Sequence, residues 1–150
     1  MDRVLFAQYK NVTRYATDCD IIILDIDYFK KVNDKWEHQM GDKILIEFAD
    51  ILRTNTRSTD IVSRWGGEEF LIICPHITSQ QTRLLAKKLL EAIRVYKYIH
   101  GQKMTASCGV GLLNPKISID QSIEIVDAAL YQAKKSGRDQ INSQANQEPA

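Results

Sequence analysis

Gly66-Gly67-Glu68-Glu69-Phe70 is the stretch that most narrows what this chain can fold into. Asp60-Ile61-Val62-Ser63-Arg64-Trp65 before it and Phe70-Leu71-Ile72-Ile73-Cys74 after it both read as strands. Gly-Gly between two such runs marks a tight hairpin with positive φ at both central positions, Gly66 and Gly67. The two glutamates therefore fall at a hairpin tip, beside main chain that no side chain screens, where a phosphate can approach the N–H groups of Gly66 and Gly67. The plain structural alternative is an ordinary hairpin with solvated glutamates.

The remaining pattern sets strands and helices around this hairpin. Residues 3–17 read as a helix, and Cys19 to Asp27 as a buried strand built on Ile21-Ile22-Ile23-Leu24. A short helix follows over Tyr28 to Trp36. Gly41 to Thr56 carries Ile44, Leu45, Phe48, Ile51 and Leu52 on one helical stripe. Thr78 to Tyr96 reads as a helix, Met104 to Leu113 as a strand, and Ser118 to Lys135 as a helix closed by Gly137. Gln140-Ile141 adds a short edge strand, and the polar tail from Asn142 reads as disordered. The order α-β-α-α-β-β-α-β-α-β predicts an α/β (α+β) sandwich: one mixed sheet with helices packed on it.

With 150 residues the chain is one domain, able to bury roughly 68–70% of its unfolded surface without a staple. Twenty basic and 19 acidic residues nearly cancel, which gives no bulk signal for nucleic acid or a membrane surface. Cys19, Cys74 and Cys108 are odd in number and lie in apolar settings, as buried thiols of a reducing cytosol do. The three histidines lack zinc-ligand spacing, no long apolar run reads as a span, and no export signal is apparent, so the expected location is cytoplasmic.

A second acidic pair, Asp25-Ile26-Asp27, ends the first buried strand. Period-two geometry puts both carboxylates on one face. Asp27 also suits the N-cap of the helix that begins near Tyr28. If the first strand lies beside the hairpin, Asp25 converges with Glu68 and Glu69. Two carboxylates about 4 Å apart repel by roughly 4 kcal/mol at an effective dielectric of 20. Such a cluster calls for a hard divalent cation, Mg²⁺ or Mn²⁺, held with substrate phosphates, and so for phosphoryl or nucleotidyl transfer.

The blocks Leu24 to Asp34, Gly41-Asp42, Arg64 to Phe70, Thr105 to Val110 and Tyr131 to Arg138 together resemble the bacterial GGDEF domain, the diguanylate cyclase family, in its GGEEF form. The resemblance covers residues 3–142, with residues 143–150 left as the tail. It implies a nucleotidyl-cyclase or polymerase-palm sheet, five-stranded and mostly antiparallel, that condenses two GTP into cyclic di-GMP with release of two pyrophosphates. It also implies a homodimer, two divalent ions per site, and no nucleic-acid or direct membrane partner.

By the same resemblance Asp25, the carbonyl of Ile26, Glu68 and Glu69 hold metal, with Glu69 either ligand or base. Asn33 and Asp42 read guanine, which also explains GTP over ATP, since adenine leaves the carboxylate unmatched. Phe29, Lys30, His38, Gly66, Gly67, Lys134 and Arg138 complete the nucleotide contacts, while Phe70 belongs to the core and Lys135 to solvent. Arg57-Ser58-Thr59-Asp60 falls at the offset of the family's product-inhibition motif; its plain alternative is a helix-end arginine with a strand-leading aspartate. Glu37 and Met40 replace a common glycine and an aliphatic residue, and Asp139 a common asparagine. The family's usual Asp-x-Leu-Thr-Gly-Leu-x-Asn lead is not in the chain, as expected of a trimmed domain or an excised fragment. A catalytically silent module that only binds GTP or cyclic di-GMP is the alternative reading, and a dimerisation unit a third.

Overall fold

The strand Cys19–Ile26 (β1) is buried at every position, which only a sheet covered on both faces allows. The computed structural model of the chain describes residues 3–15 and 18–143. It contains α1 (Arg3–Tyr15), β1, α2 (Phe29–Lys35), α3 (His38–Thr54), β2 (Ile61–Gly66), β3 (Glu69–Pro75), α4 (Ser79–Val95), β4 (Ala106–Leu112), α5 (Ile119–Lys135) and β5 (Ile141–Ser143). The strands form one sheet in the order β2-β3-β1-β4-β5. All neighbours are antiparallel except β4 and β5, which run parallel. This is the mixed, mostly antiparallel five-stranded sheet that the sequence predicts.

Alternate residues of β1 feed two cores. Ile22, Leu24 and Ile26 pack with Phe48 and Leu52 of α3 and Leu89 and Ile93 of α4. Ile21 and Ile23 pack with Leu5 of α1 and Val126 and Leu130 of α5. Each such side chain, fully buried, contributes about 1.5–3 kcal/mol through apolar area removed from water. At Gly109 of β4, α5 comes so close that an added Cβ would stand 2.3 Å from the carbonyl oxygen of Val126 and 2.6 Å from the nitrogen of Leu130. Only glycine permits that approach. Cys19, Cys74 and Cys108 are buried free thiols, and burial raises the pKa of each, that of Cys19 to about 12.

Element ends follow local chemistry. Thr78 and Ser118 each cap a helix with a reciprocal box: the hydroxyl accepts from the backbone N–H of Gln81 or Gln121, and that glutamine's side chain accepts from the cap's own N–H. Helix α3 starts at His38, three residues before the predicted Gly41, because Glu37 is the last extended residue. Its φ of −104° is open to any side chain, so the family's glycine is not needed there. Strand β5 runs through Ser143, so Asn142 and Ser143 belong to the sheet and not to the predicted tail. The rest of that tail, 144–150, lies outside the described residues, as do residues 16 and 17 of the predicted first helix. Among the described residues no helix is long and apolar enough to cross a membrane.

Candidate active site

The sheet register brings the acids together. Asp25, near the end of β1, pairs with Glu69, the first residue of β3. The carbonyl of Glu68 accepts a hydrogen bond from the N–H of Ile26 at 3.2 Å, which ties the hairpin tip to the end of β1. The turn is Gly67-Glu68 and not the expected Gly66-Gly67: Gly66 closes β2 without a positive φ, paired with Glu69, and only Gly67 takes φ +44°. The Gly67 carbonyl accepts from Arg64 Nε at 2.9 Å, so Arg64 braces the tip from β2.

Asp25 is 5% exposed and accepts from the ammonium of Lys134 on α5. Burial raises its pKa, opposed by the hydrogen bond and charge of Lys134 and reinforced by Glu68 and Asp27. Glu69 is half-buried, and its pKa is raised by burial first, then by Asp25 and Asp127. Two neighbouring carboxyls thus hold their protons more tightly than free acids do. The cluster draws cations, and a lysine is already recruited to it.

Beside these acids lies a cavity of about 400 Å³, lined by Phe29, Lys30, Asn33, His38, Asp42, Leu45, Arg64, Gly67 and Glu68. Seven of the nine are residues assigned from sequence to substrate or metal. Leu45 and Arg64 are additions; Arg64 could have been noticed as a cation two positions before Gly66. Helix α2 supplies Phe29, Lys30 and Asn33, and α3 supplies His38 and Asp42. Gly41 joins the two: a Cβ there would meet Asn33 Oδ1 at 2.1 Å and Phe29 Cζ at 3.1 Å. Asn33 Oδ1 is buried against Gly41 and has no hydrogen-bond partner among the described residues.

Asp27 plays a different part from the helix cap considered for it. Helix α2 begins after Tyr28 at φ +58°, with no side-chain cap. The Asp27 carboxylate instead accepts from Thr105 Oγ1 and Ser107 Oγ, both at 2.7 Å, and from the N–H of Asp139 at 3.0 Å. It fastens the turn after α5, where Gly137, Arg138 and Asp139 all have positive φ, to the end of β1. Asparagine's usual place at residue 139 is filled by an aspartate that tolerates this backbone and accepts from Arg94 Nε at 2.8 Å. This clasp positions the end of α5 with Lys134, while Arg138 lies over the Tyr28 ring at 4.8 Å, outside the cavity lining. Gly66 is the last residue of β2, also outside the lining. Phe70 is buried in the core and Lys135 is exposed, as expected.

Arg57 and Asp60 are bound to each other. Arg57 Nη2 donates to Asp60 Oδ1 at 2.6 Å and Nε to the same oxygen at 3.0 Å, and Arg57 also donates to the carbonyls of Pro75 and His76. The pair stands at the far end of β3 from Glu69, about 20 Å away at strand rise.

Among the described residues no three acidic, histidine or cysteine side chains stand at cation-binding distance. Asp25, Glu68 and Glu69 nonetheless suit a hard ion of the Mg²⁺ type, which binds through one or two carboxylates together with phosphates and water. Burial first, and neighbouring carboxylates after it, raise the proton affinity of Asp25 and Glu69.

Comparison with known proteins agrees with this geometry. Residues 1–140 match the family described as GGDEF: diguanylate cyclase, GGDEF domain, whose cyclases are metal-dependent. Diguanylate cyclase DgcS of Shewanella oneidensis is 40% identical over 118 residues, covering 79% of this chain and 40% of that protein. The chain spans about one to two fifths of the length of the curated relatives it matches. Among solved structures, diguanylate cyclase SiaD in complex with its activator SiaC from Pseudomonas aeruginosa superposes with a TM-score of 0.88 at 33% identity, covering 93% of this chain and 55% of SiaD. The GGDEF domain of DgcB from Caulobacter crescentus, in complex with c-di-GMP, also gives 0.88, at 26% identity, covering 95% and 86%.

Proposed function

The chain belongs to the GGDEF, diguanylate cyclase family, and from that premise we propose that it condenses two GTP into cyclic di-GMP across a homodimer. The observation that carries this reading is the junction of a base-sized cavity, with Asn33 Oδ1 buried and unpartnered, to the Asp25 and Glu69 pair through Glu68. Asp42 accepts from the guanine N1–H and amino group, and Asn33 meets the base edge. Lys30, Lys134 and Arg138 hold the β- and γ-phosphates, with Phe29 and the adjoining main chain beneath them and His38, Gly66 and Gly67 along the nucleotide.

The 3′-oxygen of one GTP attacks the α-phosphorus of the other. The bond from that phosphorus to the bridging oxygen breaks, pyrophosphate leaves, and the hydroxyl proton passes to a base. Repetition with the roles exchanged closes the ring. In this proposal Glu69 takes the proton, a role supported by the proton affinity that burial and Asp25 give it. Asp25, the Ile26 carbonyl and Glu68 would hold two Mg²⁺ or Mn²⁺ ions, which neutralise charge developing on the phosphates, and Glu69 would join them where it is not the base. Lys134 supplies positive charge to Asp25 and to the incoming triphosphate alike.

Product inhibition is assigned to Arg57 and Asp60. Cyclic di-GMP would have to draw the guanidinium from its present contacts, which sets a threshold on inhibition. The function is tested by incubating the chain with GTP and Mg²⁺ and following cyclic di-GMP and pyrophosphate. Both form with the wild type and neither with Glu69→Gln. GTP binding without product would overturn the proposal and favour a silent receptor.

A further inference from the structure

Helix α2 has a second face that the proposed reaction does not use. At 100° per residue, Phe29, Lys30 and Asn33 lie on one side of α2 and Lys31 and Lys35 on the other, with Tyr28 and Trp36 flanking the helix at its two ends. That opposite side borders a separate cavity of about 400 Å³. The loop between α4 and β4 closes it with His100 and Lys103.

Its chemistry is cationic and aromatic. Lys31, Lys35 and Lys103 all line it, and among the described residues none of the three is ion-paired. Lys31 Nζ rests 4.5 Å from the Tyr28 ring centre and Lys35 Nζ 4.6 Å from that of Trp36. The one carboxylate in the lining, Asp27, is already saturated by Thr105, Ser107 and the Asp139 N–H. His100 packs on Trp36 with ring centres 4.9 Å apart. Its Nδ1 accepts from the Gln102 N–H at 3.4 Å, which leaves the proton of the neutral ring on Nε2. Nε2 is buried and has no partner among the described residues, so a donor without an acceptor belongs to a cavity whose lining also carries three lysines.

We propose that this cavity is a second anion site, distinct from the nucleotide cleft, that takes a small phosphate-bearing ligand. Lysine ammonium groups act as point charges on phosphate oxygens, and the His100 Nε2–H supplies a directed bond to one of them. A free polyphosphate and the phosphate of a mononucleotide share that chemistry.

Trp36 reports on the site directly once Trp65 is replaced by Phe. The full chain is titrated with inorganic pyrophosphate and, separately, with GMP while Trp36 emission is followed. At least one ligand is expected to give a saturable change below millimolar concentration, and the stronger of the two identifies the source. The change should persist in Asp42→Ala and weaken about ten-fold or more in Lys35→Ala/Lys103→Ala, equivalent to about 1.4 kcal/mol. Lys35→Arg/Lys103→Arg should restore it, which separates charge from folding. No saturable change with either ligand overturns the proposal. So does a change abolished by Asp42→Ala and untouched by the lysine pair, because the signal would then belong to the nucleotide cleft.

Discussion

Glu69 is held at a cost to the fold. Burial and Asp25 raise its pKa above that of a free glutamate, so the native state disfavours its charge. For an acid with a raised folded pKa, the favourable contribution is complete below the unfolded value near 4.5 and is lost as pH rises through the folded value. Glu69→Gln should therefore raise Tm by a few degrees at pH 7 while removing turnover, and thermal melts should show the gain vanish below pH 4.5. An equal gain at both pH values would mean that charge is not its source. Gly41 offers a second test, since a methyl group there displaces Asn33 Oδ1. Gly41→Ala should raise the KM for GTP about ten-fold or more, the loss expected when a base contact worth about 1.5 kcal/mol is misplaced. Steady-state kinetics with Mg²⁺ would show it, with kcat the less affected. The acids and Asn33 and Asp42 were legible because the motif letters carry them. The Asp27 clasp was not: its three donors come from residues 105, 107 and 139, and no local pattern announces them.

At the scale of elements, hydrophobic period marked β1 and the stripes of α3, α4 and α5, which bury continuous faces, while the Gly-Gly turn marked β2 and β3. Boundaries moved where a single backbone residue decides them, as at Glu37 before α3 and Tyr28 before α2. What periodicity cannot give is contact depth, and Gly109 is the instance. Alanine there would drive α5 off β4 and carry Lys134 with it. Gly109→Ala should cost about 3 kcal/mol or more, beyond ordinary overpacking, because the clash is with backbone that cannot rotate away. Urea unfolding measures this, and activity should fall even where the fold survives. The length of β3 separates two further effects. Arg57 ties the start of β2 to the end of β3, far from the acids. Arg57→Ala should lower stability by about 1–2 kcal/mol through the lost charged hydrogen bonds, yet leave the initial rate intact. Progress curves of the variant should no longer flatten as cyclic di-GMP accumulates.

The whole molecule places Asp25, Glu68, Glu69 and the cavity beside them at one end of the sheet, where β1 ends and β3 and β4 begin. About 400 Å³ is near the lower limit for a single small-ligand pocket. On the proposed reading one chain positions one GTP in this cavity, whereas closing a ring between two guanosine units needs two 3′-hydroxyls and two α-phosphates in register. The second set must come from another copy facing the first. Nothing in the overall charge opposes such an encounter, since basic and acidic residues differ by one. At fixed saturating GTP, the rate per chain should rise in proportion to chain concentration and then level off as dimers become the main species. Light scattering on the same samples should place the plateau at the dimer mass. Excess Glu69→Gln chain should suppress the wild type by forming mixed dimers with one inactive half. A rate per chain that stays flat over the whole range, with no suppression by the variant, would mean that one copy completes the reaction alone.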